Sequence, residues 1–296
     1  MTSIATMFGA PFMQTAALAL CILAIVVAVV GVALNLRGLE FLSDGLVHAV
    51  FPGIVVGLIA GGGPMIYLGA LIAALIATVL LTLITRTGRR TDAATAVILA
   101  GAFALGIVLV SRTSKYSTGV EQLLFGQLLT IGSTDIAYIL ILGGLAVLLV
   151  GATWKTQTFI SFDRPGALAA GIPVLRYELI LNVSIALVVV AASRAVGNLL
   201  VLALLIVPAA IGRLLSRNIA VIAAIALLAA IGGSLAGLAG GYWLSVDAGL
   251  RVSPSAVLVL VLVAGYFLAA IVATIRQSIT GGRKVLAEQA RAVVES

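Results

Sequence analysis

Charge is scarce in this sequence: Asp, Glu, Lys and Arg make up 9% of the 296 residues, against 62% hydrophobic. A chain so poor in charge cannot clothe the surface of an ordinary water-soluble domain, and composition alone places it among polytopic membrane proteins. There is one cysteine, Cys21, which excludes an internal disulfide; set in an apolar run, it is a packing residue. There is one histidine, His48, which excludes a His-Glu-x-x-His pair. With no nucleophile and base set beside it, the chain has little with which to be an intramembrane enzyme. No Gly-x-x-x-x-Gly-Lys-Ser/Thr run is present, so the chain has no phosphate cradle for ATP. The net charge of +7 falls between apolar runs, where basic residues set membrane orientation and do not form a nucleic-acid surface.

What the sequence has in abundance is apolar length. A bilayer core takes about 20 helical residues, and on that measure the chain is an all-α, single transmembrane domain over 1–296 with about nine spans. They lie near 15–36, 41–60, 65–85, 92–110, 136–153, 177–194, 198–215, 219–244 and 254–275. The first is too long for a signal-peptide core and reads as a retained span. Gly61-Gly62-Gly63-Pro64 supplies a tight turn, and residues 120–126 are too short and polar to cross, which suits a small interfacial helix. The longest internal polar segment is 154–176, and a charged tail, helical near its end, occupies 276–296. Between Tyr177 and Leu215 the chain reverses near Ser193–Asn198, with Pro208 bending the second limb; an eight-span version, with this stretch partly re-entrant, is the alternative.

Orientation follows from the basic residues. With the N-terminus outside, the outer face receives only Arg112, Lys115, Arg194 and Arg251 of the 17, leaving thirteen inside. The 154–176 segment and the tail are then cytoplasmic, open to a soluble partner.

The chemistry concentrates in Leu42–Gly53, where Asp44 and His48 stand four residues apart on one helical face. Pro52 has no N–H to give the carbonyl four residues back, which belongs to His48. Two polar side chains and a freed carbonyl therefore cluster inside an apolar span, where ionisable groups must pair or line a wet path. Three readings are open: a carboxylate–imidazole pair hidden from lipid, a proton relay, or two ligands of a cation. Carboxylate oxygen and imidazole nitrogen suit Zn²⁺, Mn²⁺ and Fe²⁺ alike.

Taken in order, four motifs resemble those of the ABC-3 type permeases, the membrane subunits of bacterial ABC importers for zinc, manganese and iron. They are Asp44-Gly45-Leu46-Val47-His48 with Phe51-Pro52-Gly53; Phe162-Asp163 with Ala167 and Gly171-Ile172; Val196-Gly197-Asn198 through Val207-Pro208-Ala209-Ala210; and Gly241-Tyr242-Trp243-Leu244-Ser245 before Pro254-Ser255. The resemblance implies a fold like that of the vitamin and siderophore permeases and a location in the bacterial inner membrane. It implies two cytoplasmic ATPase subunits, an extracytoplasmic metal-binding protein and a second permease copy as partners, with no resident cofactor and a metal ion as cargo. Asp44 and His48 are then the metal ligands, doubled to four across a two-fold axis. Phe162, Asp163, Ala167 and Gly171 belong to the helix that couples to the ATPase, and Pro52, Gly197 and Pro208 shape the pathway. A short helix opened by Asp163, with Pro165 in its first turn and Gly171 at its end, fits that part. No His, Asp or Glu occurs in 199–243 to extend the ligand set. Alternatives are a permease for a metal chelate or cobalamin-like cofactor, and a proton-coupled carrier.

Elsewhere, Glu121, Asp135 and Asp247 read as charges of outer loops, solvated or, as the alternative, attracting cations to a gate, and Arg194 as an interface anchor. The glycines of 232–241, with Ser234, form a small-residue face suited to close helix packing.

Overall fold

The computed structural model describes residues 9–85, 91–111, 126, 128–250 and 252–294. These residues are helical almost throughout. In chain order they form α1 (Pro11–Leu36), α2 (Glu40–Ala60), α3 (Pro64–Thr85), α4 (Thr91–Ser111), α5 (Ser133–Phe162), α6 (Arg164–Ala169), α7 (Val174–Val196), α8 (Asn198–Leu215), α9 (Ile219–Val246) and α10 (Pro254–Val294). Eight of them are long and apolar enough to cross a bilayer among the described residues, and α4 adds a shorter apolar stretch, Thr95–Ser111. Residues 120–125, with Glu121, lie outside the described residues.

Local chemistry sets the boundaries. Gly61, Gly62 and Gly63 all take positive φ, and Pro64 opens α3, so the turn between α2 and α3 needs only three residues. Gly197, at φ 84, plays the same part between α7 and α8, and Pro208 sits within α8 without ending it. In one respect the structure departs from expectation. Residues 154–162 are not a loop but the continuation of α5, because nothing in Trp154–Phe162 breaks a helix. At 30 residues, α5 is about 45 Å long at 1.5 Å per residue, against a hydrocarbon core of about 30 Å. It therefore exceeds the hydrocarbon core by about 15 Å. The 41-residue α10 does the same, running through 276–294 without interruption.

Helices α1, α2 and α7 are largely buried and form the centre, while α5, α9 and α10 expose most of their surface. With lipid as apolar as leucine, helices associate through close fit and not through hydrophobic expulsion. The fit is made by glycine. A Cβ on Gly53 would stand 2.2 Å from the carbonyl oxygen of Gly69, so α2 and α3 meet backbone to backbone. Gly233, Gly237 and Gly241 of α9 face Leu262, Leu258 and Pro254 of α10 in the same way, as a small-residue face predicts; Gly232 lies off the seam. Packed between α3 and α4, α2 holds its half-buried ionisable groups at a defined height.

Candidate functional site

Asp44 and His48 occupy successive turns of α2, with His48 Nε2 3.4 Å from Asp44 Oδ1. That separation is longer than an ordinary N–H···O bond. It equals the gap of about 3.4 Å between two donors that each sit about 2.1 Å from one tetrahedral ion. Both side chains remain partly open, at 20% for His48 and 29% for Asp44, so the pair faces outward from the chain's own core. Nδ1 of His48 is buried and has no hydrogen-bond partner. The imidazole is held edge-on by Phe103 of α4, ring centroids 5.4 Å apart. Phe103 in turn stacks near Phe51, whose ring fills the space that a side chain at Gly106 would take. Pro52 lies one turn beyond His48, inside the same helix. Among the described residues no third His, Cys, Asp or Glu joins this pair to make a complete metal cage. One chain therefore offers two ligands, and about four are usual for a closed site.

Asn198, the first residue of α8, reaches α2 beside this pair. Its amide nitrogen lies 3.5 Å from the Val47 carbonyl, and its Oδ1 is buried without a partner. Gly197 is the reversal that delivers it there. Pro208 is buried farther along α8, inside the helix.

Phe162, Asp163, Ala167 and Gly171 form a separate unit. The Asp163 carboxylate accepts from the Gly166 N–H at 2.8 Å, capping α6 with Pro165 in its first turn. A Cβ on Gly166 would stand 2.0 Å from Asp163 Oδ2, so a side chain there would displace the capping carboxylate. At the other end, Gly171, φ 73, donates to the Leu168 carbonyl and Ile172 to the Ala167 carbonyl, the double bond pattern of a Schellman stop. Ala167 is buried against Ile160 and Val174, whereas Phe162 and Leu168 are exposed. The unit is pinned by the ion pair of Arg164 with Glu178, 2.8 Å, and by Gln157 Nε2, which donates to the Tyr177 carbonyl. Arg37, just after α1, lies within electrostatic reach of both charges. Burial pulls its guanidinium below the ordinary value, Glu178 opposes that, and Arg164 adds to it.

At the opposite end of the bundle the structure corrects two readings. Asp135 is not a solvated loop charge: it is buried and accepts from Tyr67 Oη at 2.7 Å and from the Gly132 N–H at 2.9 Å. Arg194 does not stand alone as an anchor: it is the ion-pair partner of Asp135, at 3.4 Å, with its guanidinium over the Tyr67 ring. Tyr138 stacks on Tyr67, centroids 3.8 Å apart. The cluster ties the starts of α3 and α5 to the end of α7. Asp247 is exposed at the C-terminal cap of α9.

Comparison with known proteins bears on the whole assembly. The chain is 33% identical over 230 residues to the manganese transport system membrane protein MntC of Halalkalibacterium halodurans, covering 77% of each chain. It is 32% identical over 212 residues to the chelated iron transport system membrane protein YfeD of Yersinia pestis, covering 71% of this chain and 70% of that one. A solved structure, PsaBC from Streptococcus pneumoniae in complex with Fab, superposes with a TM-score of 0.78 at 28% identity, covering 90% of this chain and 95% of its own. Residues 9–273 match the ABC 3 transport family. With its apolar helices and its motifs in family order, the chain is a multi-pass membrane permease belonging to that family.

Proposed function

We propose that this permease imports a divalent transition metal, with Mn²⁺ as the preferred ion. The observation that carries the reading is the Asp44–His48 pair, two metal-type donors 3.4 Å apart on α2. Oxygen and nitrogen donors without a thiolate suit Mn²⁺, Fe²⁺ and Zn²⁺. The name of the relative MntC supports manganese among them. Two copies of the chain contribute Asp44 and His48 from either side of a two-fold axis and so supply up to four ligands. A site of that kind, assembled from two incomplete halves, binds well enough to admit an ion and loosely enough to release it.

The ion is delivered by an extracytoplasmic binding protein, and ATP is hydrolysed on separate cytoplasmic subunits. These dock on the capped helix α6 and the adjoining end of α5, where Leu168 and Phe162 present apolar surface. The excess of basic residues on one side sets the N-terminus outside and α6 in the cytoplasm. Pro52, Gly197 and Pro208 shape the path by freeing a carbonyl or reversing the chain.

Radiolabelled Mn²⁺ uptake into membrane vesicles that hold the chain with its ATPase and binding protein tests this. Wild type takes up Mn²⁺ in an ATP-dependent, uncoupler-insensitive manner, with Mn²⁺ the strongest competitor among Mn²⁺, Fe²⁺ and Zn²⁺. His48→Ala at equal expression loses at least nine-tenths of uptake. Full uptake by the variant refutes ligation at His48, and uptake abolished by an uncoupler points to a proton-coupled carrier.

A further inference from the structure

A neutral imidazole that ligates an ion through one ring nitrogen carries its proton on the other. In α2 the nitrogen that faces Asp44 Oδ1 is Nε2, at 3.4 Å, which makes Nε2 the ligand and Nδ1 the N–H. That Nδ1 is buried and has no partner. A buried N–H left unpaired is costly, and a ligating histidine almost always gives its second N–H to an oxygen that fixes the ring.

Among the described residues four buried side-chain oxygens are likewise without a partner: Gln157 Oε1, Asn182 Oδ1, Asn198 Oδ1 and Ser234 Oγ. Their surroundings separate them. The amide of Gln157 is tied to the Tyr177 carbonyl beside α6, that of Asn182 to Thr82 of α3, and Ser234 lies on the glycine face of α9. Asn198 is the one of the four whose side chain meets α2. Its Nδ2 is 3.5 Å from the carbonyl of Val47, the residue immediately before His48. A contact of that length is at the outer limit of a hydrogen bond, so the amide is loosely held. The backbone that delivers it is not loose. Gly197, φ 84, turns the chain into α8, and a Cβ on Gly126 would stand 2.4 Å from Gly197 N, so a second stretch of backbone locks the reversal in place.

We propose that Asn198 is the positioning residue of His48. When Nε2 ligates an ion, Nδ1–H donates to Asn198 Oδ1, which fixes the tautomer and turns the Nε2 lone pair on the ion. The two atoms are not bonded in this structure; rotation of the amide or of the ring brings them together and satisfies both orphaned atoms at once. Phe103 restrains the imidazole edge-on, and the amide adds the hydrogen bond that packing cannot supply. Asn198 itself does not touch the ion. The inference rests on the proposed ligation at His48 and extends it by one residue.

His48 is the one histidine of the chain, so labelling with ¹⁵N-histidine reports a single imidazole. The full chain is placed in proteoliposomes and both ring nitrogens are followed by solid-state NMR with and without Zn²⁺, a diamagnetic ion that suits the same donors as Mn²⁺. Equilibrium dialysis, with His48→Ala as the blank, gives the Zn²⁺ affinity. In wild type, Zn²⁺ moves Nε2 to a metal-bound position while Nδ1 keeps its proton, whose signal lies downfield. Asn198→Leu, which is close in size and has no polar atom, loses the downfield shift and binds Zn²⁺ about tenfold more weakly. Asn198→Asp keeps the acceptor and removes the donor to Val47; its Nδ1–H moves farther downfield, because a bond to a charged acceptor is shorter, and it binds Zn²⁺ no more weakly than wild type. An Nδ1–H signal unchanged in both variants overturns the role of Asn198 and leaves ligation at His48 standing. Equal losses of affinity in both variants also overturn it, in favour of a structural tie to the Val47 carbonyl. The Asp variant is decisive by itself if the Leu variant does not fold. Imidazole signals that Zn²⁺ leaves unmoved in wild type overturn the underlying reading of His48.

Discussion

Replacing Asp135 with Asn and Tyr67 with Phe, singly and together, tests whether the buried cluster joining α3, α5 and α7 acts as one unit. The carboxylate accepts from Tyr67 Oη at 2.7 Å and from the Gly132 N–H at 2.9 Å, and pairs with Arg194 at 3.4 Å. A hydrogen bond to a charged group contributes about 1.5 to 3 kcal/mol, and a neutral one about 1. Asn at 135 keeps an acceptor for Tyr67 at neutral strength but turns an N–H towards Gly132, so the expected loss is about 2 kcal/mol. The Arg194 pair adds less than about 1 kcal/mol, because that side chain is partly exposed. Phe at 67 deletes the hydroxyl and costs about 1.5 to 2 kcal/mol. Because the Tyr67 bond is charge-assisted only while Asp135 is ionised, the double variant loses about 1 kcal/mol less than the sum. Equilibrium unfolding by SDS titration in mixed micelles, followed by circular dichroism, gives the values. Losses that add to within about 0.4 kcal/mol mean that the two residues act independently, and the idea of a single clamp is then wrong.

Two further outcomes follow from local geometry. Gly53→Ala puts a methyl 2.2 Å from the Gly69 carbonyl oxygen and forces α2 off α3. It should cost about 2 kcal/mol or more in the same titration, whereas Gly101→Ala, with open space around its new Cβ, leaves stability unchanged; equal effects would refute the packing argument. Asp163→Ala removes the α6 cap, worth about 1 kcal/mol. ATP hydrolysis should then continue with Mn²⁺ import lowered severalfold, and Asp163→Asn, an equally good cap, should restore import; import unchanged in the alanine variant would count against coupling through α6.

Much of this protein is decided by its sequence alone, for physical reasons that are local. Twenty apolar residues in a row cross a bilayer whatever their neighbours are, so an all-α bundle with about nine apolar helices is legible from composition and run length. The four-residue step from Asp44 to His48 is likewise fixed by helical geometry, as is the cap that Asp163 places on α6. Even the extension of α5 through Phe162 is written in the absence of Gly or Pro from 154–162, although the polarity of that stretch suggests a loop. What only the tertiary structure decides depends on groups far apart in the chain. Asp135 and Tyr67 are separated by 68 residues and Arg213 and Asn35 by 178, so no periodicity shows that they meet. Asp135 and Arg194 therefore look like loop charges until the bundle closes around them. Glu40 stands in register with Asp44 in the sequence, but near a span boundary it resembles any interfacial charge. The cavity that it lines with Arg213 and Asn35 exists only because α8, backed by α10, packs against α1 and α2. Helical register is a property of neighbours along the chain, whereas burial, charge pairing and cavity shape belong to the packed whole.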